Sequence, residues 1–212
     1  MAANPDIQYG IKHTDHDLNQ NTVATYNVLE TMRLNGVSKI AFASTSAVIG
    51  DAKIIPTPED YAPLHPQSLY GASKLACEGL ISAYCHTFDF QSWVFRFANI
   101  IGERGITHMV LIDFIKKLRI DPTRLEILGD GKQSKPLFLV NELIDAMFHI
   151  VNNSNEKINV YNCAGPDRIK SIDRIAEVII EELKLPSVEI TYTGGRRGWK
   201  GDVPIYQLST EK

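Results

Sequence analysis

Two short apolar runs limit the folds open to this chain: KIAFAS at 39–44 and SWVFRF at 92–97. Each is preceded and followed by a segment of helical pattern. Runs of this length, rich in strand-forming residues, predict buried strands, and strands that alternate with helices usually pair in parallel. The first half of the chain therefore predicts an α/β fold built on a parallel sheet.

Further elements are predicted on both sides of these strands. A helix is expected over 18–35, because good helix formers run up to Gly36. Beyond residue 120 the patterns predict a smaller lobe, with a helix over 171–185 that begins after Ser171, a typical capping residue. The other elements predicted there are strands at 125–128, 137–140, 158–162 and 188–193 and a helix at 141–152.

Composition narrows the classes of partner. An apolar fraction of 44% is sufficient for a buried core, and a formal net charge of -3 without charge blocks argues against nucleic acid and anionic membranes. No run is long enough to cross a bilayer, and the N-terminus lacks a secretory pattern. Three cysteines, two of them eight residues apart on one predicted helix, indicate reduced thiols. We expect a cytoplasmic protein with a small-molecule ligand.

The stretch LYGASK places Tyr70 four residues before Lys74. On a helix both side chains would project from one face, so that their polar ends can meet. A lysine charge beside a phenol favours the phenolate and so makes tyrosine useful in proton transfer. The same spacing also occurs in helices where tyrosine packs and lysine is solvated, and the pair alone favours that alternative.

Three hydroxyl residues follow the first strand in FASTSAVIG at 42–50. Ligands of α/β sheets bind at the carboxyl ends of strands, which is where these residues lie. Alternation along the strand places Ser44 and Ser46 on one face and Thr45 on the other. Spacing alone does not decide which hydroxyl is catalytic.

Taken together, these motifs resemble the extended short-chain dehydrogenase/reductase family, and within it the archaeal-type UDP-glucose 4-epimerases. The similarity runs along the whole chain, in AANPD, NTVATYNVLE, FASTSAVIG, LYGASK, RFANIIG, LGDGKQ and GGRRGWKGDVP. It implies part of a Rossmann-like doubly wound parallel sheet in residues 1–105. Residues 106–212 are expected to form mainly a C-terminal α/β substrate lobe, with some segments returning to the sheet.

The resemblance also implies an NAD cofactor, a UDP-sugar substrate and hydride transfer through a 4-keto sugar. Arg197 is the implied second phosphate contact, and Arg196 is an alternative for that role. Lys135 stands where many relatives carry an arginine that binds phosphate. The implied catalytic residues are Thr45, Tyr70 and Lys74. The implied cofactor contacts are Ala2, Ala3, Asn21, Ser44, Tyr70, Lys74 and Phe97. The implied substrate contacts are Thr45, Asn99, Lys135 and Arg197.

The sequence departs from the family pattern at its start. It contains no glycine-rich turn after a strand, so the first third to half of the dinucleotide-binding fold is expected to be missing. The first strand would then present a bare edge. The tripeptide at 45–47 lacks the two acids of nucleotide-sugar dehydratases, which favours epimerase or reductase chemistry.

Several alternatives stay open. A homodimer is expected through helices 18–35 and 70–88, as in the family, whereas the histidines and acids at 13–17 are expected to be solvated and not metal ligands. The enzyme is expected to be a UDP-glucose/UDP-galactose 4-epimerase. Alternatives are an NAD(P)-dependent nucleotide-sugar reductase or dehydrogenase and a non-catalytic binding module.

Overall fold

The structure is a computed structural model, and it describes residues 7, 9–105, 109–165 and 169–212. Within these residues strands and helices alternate along much of the chain. The strands are β1 (Lys39–Thr45), β2 (Gln91–Phe97), β3 (Asn99–Ile101), β4 (Arg124–Ile127), β5 (Ser134–Leu139), β6 (Ile158–Cys163), β7 (Ile169–Ser171) and β8 (Glu189–Tyr192). The helices are α1 (Tyr9–Lys12), α2 (Thr14–Asp17), α3 (Ala24–Leu34), α4 (Leu69–Phe88), α5 (Val110–Ile120), α6 (Val140–Asn153) and α7 (Ile172–Glu182).

The central sheet is parallel and has the order β1-β2-β6. Its middle strand, β2, is buried along most of its length, because helices cover both faces. Val94 packs in a cluster with Leu29 of α3 and Ile81 of α4. The neighbouring Phe95 packs with Leu143 of α6 on the opposite face. Strand alternation therefore joins two apolar cores through one sheet, as a doubly wound fold requires.

Strand β1 lies at the edge of this sheet. It pairs with β2 from Lys39 opposite Gln91 to Thr45 opposite Phe97, and among the described residues β2 is its one partner strand. Its first half is largely accessible to solvent, whereas Ser44 and Thr45 at its carboxyl end are buried. The predicted bare edge is thus present in the described part of the chain.

A second group of strands belongs to residues 99–192. Strand β5 pairs with β3 in parallel and with β7 in antiparallel orientation, while β4 pairs with β8. Helices α5 and α7 pack over β4 around Phe114, Leu125 and Ile175. The predicted cap is confirmed, because the Ser171 hydroxyl accepts a hydrogen bond from the backbone N–H of Arg174.

Most sequence-based bounds agree with these elements within a few residues. The predicted helix over 18–35 is divided, because a π-helical turn, Leu18–Val23, precedes α3. Both β6 and α6, which come from the second half of the chain, pack with the central sheet.

Cys77, Cys85 and Cys163 are buried and unpaired, in agreement with the expectation of reduced thiols. Among the described helices, none is both long and apolar enough to span a membrane.

Candidate active site

Thr45 occupies the junction between β1 and a 3-10 turn, Ser46–Val48. Its backbone is still extended, and its hydroxyl oxygen accepts a hydrogen bond of 3.2 Å from the backbone N–H of Ala47. Short hydroxyl side chains favour such positions because they satisfy the first free N–H groups of a turn. The turn thus fixes the Thr45 hydroxyl at the carboxyl end of the sheet.

Tyr70 stands in the first turn of α4. The helix begins after Ser68, whose hydroxyl accepts from the backbone N–H of Gly71 at 3.0 Å. Gly71 permits the close approach, since a Cβ there would lie 2.5 Å from the carbonyl oxygen of Ala47. The N-terminus of α4 therefore packs directly on the turn that carries Thr45.

This packing brings the Tyr70 phenol within hydrogen-bonding reach of Thr45. Burial raises the pKa of Tyr70 above its ordinary value, the hydrogen bond with Thr45 acts in the opposite direction, and the charge of Asp17 raises the pKa further. Burial dominates because it disfavours the charged phenolate. In this structure Tyr70 is a protonated phenol at neutral pH.

Lys74 lies one turn further along α4 and is buried. Its Nζ donates a hydrogen bond of 3.0 Å to the carbonyl oxygen of Ala43 and lies 4.8 Å from the centre of the Phe42 ring. Burial lowers the pKa of Lys74. The ammonium is 6.0 Å from the centre of the Tyr70 ring. The ammonium's hydrogen bond is made to the strand, and a contact between the polar ends of the pair stays a prediction.

Two predicted cofactor residues have partners on α4. The Asn21 amide donates to the Ser73 hydroxyl at 2.8 Å, and both side chains are buried. The Ser44 hydroxyl donates to Glu78 at 2.5 Å. Ser44 and Glu78 thus fasten α4 to β1 next to the contact that Lys74 makes with Ala43. These bonds fix α4 against the first strand.

A cavity of about 450 Å³ opens beside Thr45, between the central sheet and the second lobe. Its volume lies in the usual range for sites that hold small molecules, roughly 300–1,000 Å³. Of the residues predicted for the site, four line it: Thr45, Phe97, Asn99 and Lys135. Tyr70 does not line the cavity, but its phenol lies within reach of Thr45. Asn21, Ser44, Lys74 and Arg197 are not among the residues that line the cavity.

Lys135 carries the positive charge in the wall formed by β5. Its Nζ donates to Asp202 Oδ1 at 2.7 Å and to the carbonyl oxygen of Val203 at 2.5 Å. The lysine side chain is 16% exposed and the aspartate side chain 5%, so the pair is well shielded from bulk water. A shielded cation in a cavity wall can bind a phosphate. For Lys135 this requires that the ammonium either binds Asp202 and the phosphate together or releases Asp202.

Arg197 lies outside the cavity lining, although the neighbouring Gly198 and Trp199 belong to it. Its guanidinium donates to Gln67 Oε1 and to Asp51 Oδ2, each at 2.6 Å, and also to the carbonyl oxygen of Asp202. The charge of Arg197 helps to lower the pKa of Asp51 against the effect of burial. A phosphate role for Arg197 stays a prediction and would require these contacts to change.

Some residues of the cavity were not predicted from the sequence. Gln133, Asp202 and Tyr206 line it. The motifs LGDGKQ and GWKGDVP contain Gln133 and Asp202, but neither residue was predicted to belong to the site. The alternation of Gln133 with Lys135 on an extended segment was the available signal for the glutamine.

Ala2 and Ala3 lie outside the described residues. Within the described residues no cluster of His, Cys, Asp and Glu could hold a metal ion.

Comparison with known proteins identifies the family and the fold. Residues 1–164 match the NAD dependent epimerase/dehydratase family. The chain belongs to this family. A solved UDP-galactose 4-epimerase has 34% identity and a TM-score of 0.86, and the match covers 100% of this chain and 67% of that one. The Rossmann-like α/β fold is thereby confirmed.

Other family members differ in substrate. GDP-mannose 3,5-epimerase 1 of Oryza sativa subsp. indica is 30% identical over 194 residues, which are 86% of this chain and 50% of that protein. MoeE5, solved with UDP-glucuronic acid and NAD, is 26% identical with a TM-score of 0.87, and the match covers 100% of this chain and 69% of that one. The chain spans about half the length of curated relatives that it matches.

The family's cofactor is NAD, and the buried donors of α4 fit one end of it. The Lys74 ammonium has three N–H groups, of which Ala43 accepts one, so donors are left for a ribose diol. The residues that would hold the nicotinamide nucleoside are Lys74, Tyr70 and Asn21. The side chains of Lys74 and Asn21 are already buried. The described donors thus fit the nicotinamide half of the cofactor.

Proposed function

We propose that this chain carries the catalytic and sugar-binding part of an NAD-dependent nucleotide-sugar epimerase that acts on a UDP-sugar. UDP-glucose and UDP-galactose, interconverted at C4, are the proposed substrates. The observation that carries the proposal is that the Tyr70 phenol lies within reach of Thr45, which lines a cavity whose wall also contains Lys135. That arrangement places a candidate proton-transfer pair beside a site of small-molecule size that contains a cation.

The proposed roles follow from these contacts. Tyr70 Oη takes the proton from the sugar hydroxyl and returns it, while Thr45 orients both oxygens. Lys74 holds ribose hydroxyls, and Asn99 and Lys135 bind the diphosphate. Arg197 is proposed as the second phosphate contact. NAD, when bound, supplies a reversible hydride acceptor.

The raised pKa of Tyr70 sets a condition for this chemistry. A phenol that is protonated at neutral pH is a poor base, and positive charge brought near it lowers its pKa. We therefore expect turnover to rise with pH through the neutral range. We also expect the phenol to ionise more readily once a cationic ring is bound beside it.

The test is conversion of UDP-galactose to UDP-glucose by the folded chain with added NAD, followed by proton NMR. Conversion without net NADH, reduced about 10²- to 10⁴-fold by Tyr70→Phe, supports the epimerase. Net NADH formation would instead identify a dehydrogenase of the same family. Calorimetry with NAD on wild type and Lys74→Ala shows whether the nicotinamide contacts suffice for binding.

A binding module without turnover is the second candidate. One observation favours it: Tyr70 is not among the residues that line the cavity. It predicts that UDP-glucose binds, that NAD neither binds nor supports conversion, and that Tyr70→Phe leaves UDP-glucose affinity unchanged. A cytoplasmic location stays a prediction that rests on the unpaired cysteines.

We also propose a homodimer through helices 18–35 and 70–88. The π-helical turn and α3 expose Leu18, Tyr26 and Val28, which are 54%, 47% and 51% accessible. Leu69 and Phe88 at the two ends of α4 are also exposed. Apolar side chains on two adjacent helices can form a four-helix interface between copies. Sedimentation velocity should show a dimer that Val28→Glu dissociates, and a wild-type monomer at every concentration would exclude it.

A further inference from the structure

Gln133 holds a buried acceptor without a partner in the wall of the cavity. The residue is 3% exposed and lines the cavity. Its Nε2 donates a hydrogen bond of 3.0 Å to the carbonyl oxygen of Leu128. Its Oε1 is buried and, among the described residues, receives no hydrogen bond. Because a buried unpaired acceptor costs free energy, this oxygen is suited to a ligand that supplies a donor.

The amide is held rigidly in this orientation. The bond to Leu128 uses the nitrogen side, so the oxygen side is the one left for a ligand. Gly129 lies against the same nitrogen, since a Cβ there would lie 1.7 Å from Nε2. The backbone of Gln133 is also fixed, since its carbonyl oxygen accepts from the N–H of Ile172 at 3.0 Å. The acceptor is therefore pre-organised.

The surroundings of Gln133 favour a flat heteroaromatic ring. Phe114, Leu128 and Ile172 line the same cavity and supply apolar surface, which suits a ring better than a hydroxyl-rich sugar. Gln133 directly precedes β5, two residues before Lys135, and residues two apart on an extended chain leave one face roughly 7 Å apart. That spacing is comparable to the distance from the phosphate of a nucleotide to its base.

We propose that Gln133 is a specificity-determining residue whose Oε1 accepts the ring N3–H of uracil when Lys135 holds the diphosphate. This inference rests on the proposed function for its substrate class and extends it to the atom of the base that is read. Uracil carries a donor at this ring position, whereas cytosine carries an acceptor. The site should therefore select UDP over CDP.

The test is a ligand and residue cycle measured by calorimetry without NAD. The ligands are UDP and N3-methyl-UDP, and the proteins are wild type and Gln133→Met, each shown to be folded by circular dichroism. Wild type should bind UDP roughly tenfold to a hundredfold more tightly than N3-methyl-UDP, because methylation removes the donor. Gln133→Met should lose UDP affinity by a similar factor and no longer distinguish the two ligands.

Gln67→Met is the matched control, because Gln67 also lines the cavity but its Oε1 already accepts from Arg197. It should keep the preference for UDP over N3-methyl-UDP. The inference is overturned if wild type binds the two ligands equally, if Gln133→Met retains the preference, or if UDP fails to bind. Tighter binding of GDP than of UDP would overturn the choice of uracil. Selective UDP binding without sugar conversion would support the role of Gln133 and count against the epimerase.

Discussion

Arg96 of β2 and Glu78 of α4 form an ion pair inside the protein, with Arg96 Nη2 2.8 Å from Glu78 Oε2. Arg96 Nε also donates to Glu78 Oε1, which accepts from Ser44 of β1 as well. The Nη1 group donates to the carbonyl oxygen of Glu59 in the loop before α4. One carboxylate thus ties both strands to the helix that carries Tyr70.

Replacement of Glu78 by alanine should destabilise the chain strongly. It leaves the Arg96 charge buried without a counter-charge, and breaking such a pair typically costs about 3–5 kcal/mol. Urea unfolding followed by circular dichroism measures the change in the free energy of unfolding. Glu189→Ala is the control, since the exposed pair of Glu189 with Arg124 should contribute no more than about 1 kcal/mol. Equal losses in the two variants would contradict the structural role of Glu78.

The cost of burying Lys74 should depend on pH. Burial lowers the pKa of Lys74 in the folded state. At pH values below the ordinary lysine pKa of about 10.4, the charged side chain therefore destabilises the folded state relative to the unfolded state. Lys74→Met removes that penalty. The unfolding free energy of the variant minus that of wild type should be largest near neutrality and should fall as pH rises toward 10.4. A difference that does not change with pH would show that the ammonium is not penalised.

The Ser68 cap should contribute measurably to the start of α4. Ser68→Ala leaves the backbone N–H of Gly71 without its acceptor and should cost about 1 kcal/mol. A loss of that size corresponds to a fall of roughly 2–4 °C in the melting temperature of a chain of this length. Ser68→Asp keeps an acceptor at the cap and should recover most of the loss. Failure of aspartate to do so would mean that the hydroxyl acts elsewhere.

The two candidate phosphate residues should differ in their effects on UDP binding. Lys135→Met removes a cation from the cavity wall and should weaken UDP roughly tenfold to a hundredfold, the range for hydrogen bonds to charged groups. Arg197→Met should have a smaller effect, since Arg197 lies outside the lining and pairs with Asp51. Calorimetry with UDP decides between them. A larger loss for Arg197→Met would mean that ligand binding rearranges its contacts.

Because Lys135→Met also leaves Asp202 unpaired in the cavity wall, the double variant with Asp202→Asn is needed as a control. If repulsion by the carboxylate caused the loss, the double variant should regain affinity. If the lost cation caused it, the double variant should bind UDP as weakly as Lys135→Met.

The sequence was sufficient to predict most of the helices and strands, but not the partners of long side chains. Strand β2 could be predicted because both of its faces are buried, which requires a continuous apolar run. The direction of Lys74 could not, because its acceptor, Ala43, is a backbone oxygen on another element. The same holds for Arg197, whose partner Asp51 is 146 residues away in the sequence. Such pairs depend on tertiary packing, and no local pattern encodes them.

The open edge of β1 should give the strand an alternating rate of amide hydrogen exchange. The carbonyl of Ser38 accepts from the N–H of Gln91, so strand alternation directs the backbone groups of Ile40 and Phe42 toward β2. Those of Ala41 and Ala43 face the opposite edge, where Lys74 binds the Ala43 carbonyl. Deuterium should therefore replace the amide protons of Ala41 and Ala43 well before those of their neighbours. A ligand that orders this edge would be detected by the slowing of those two signals.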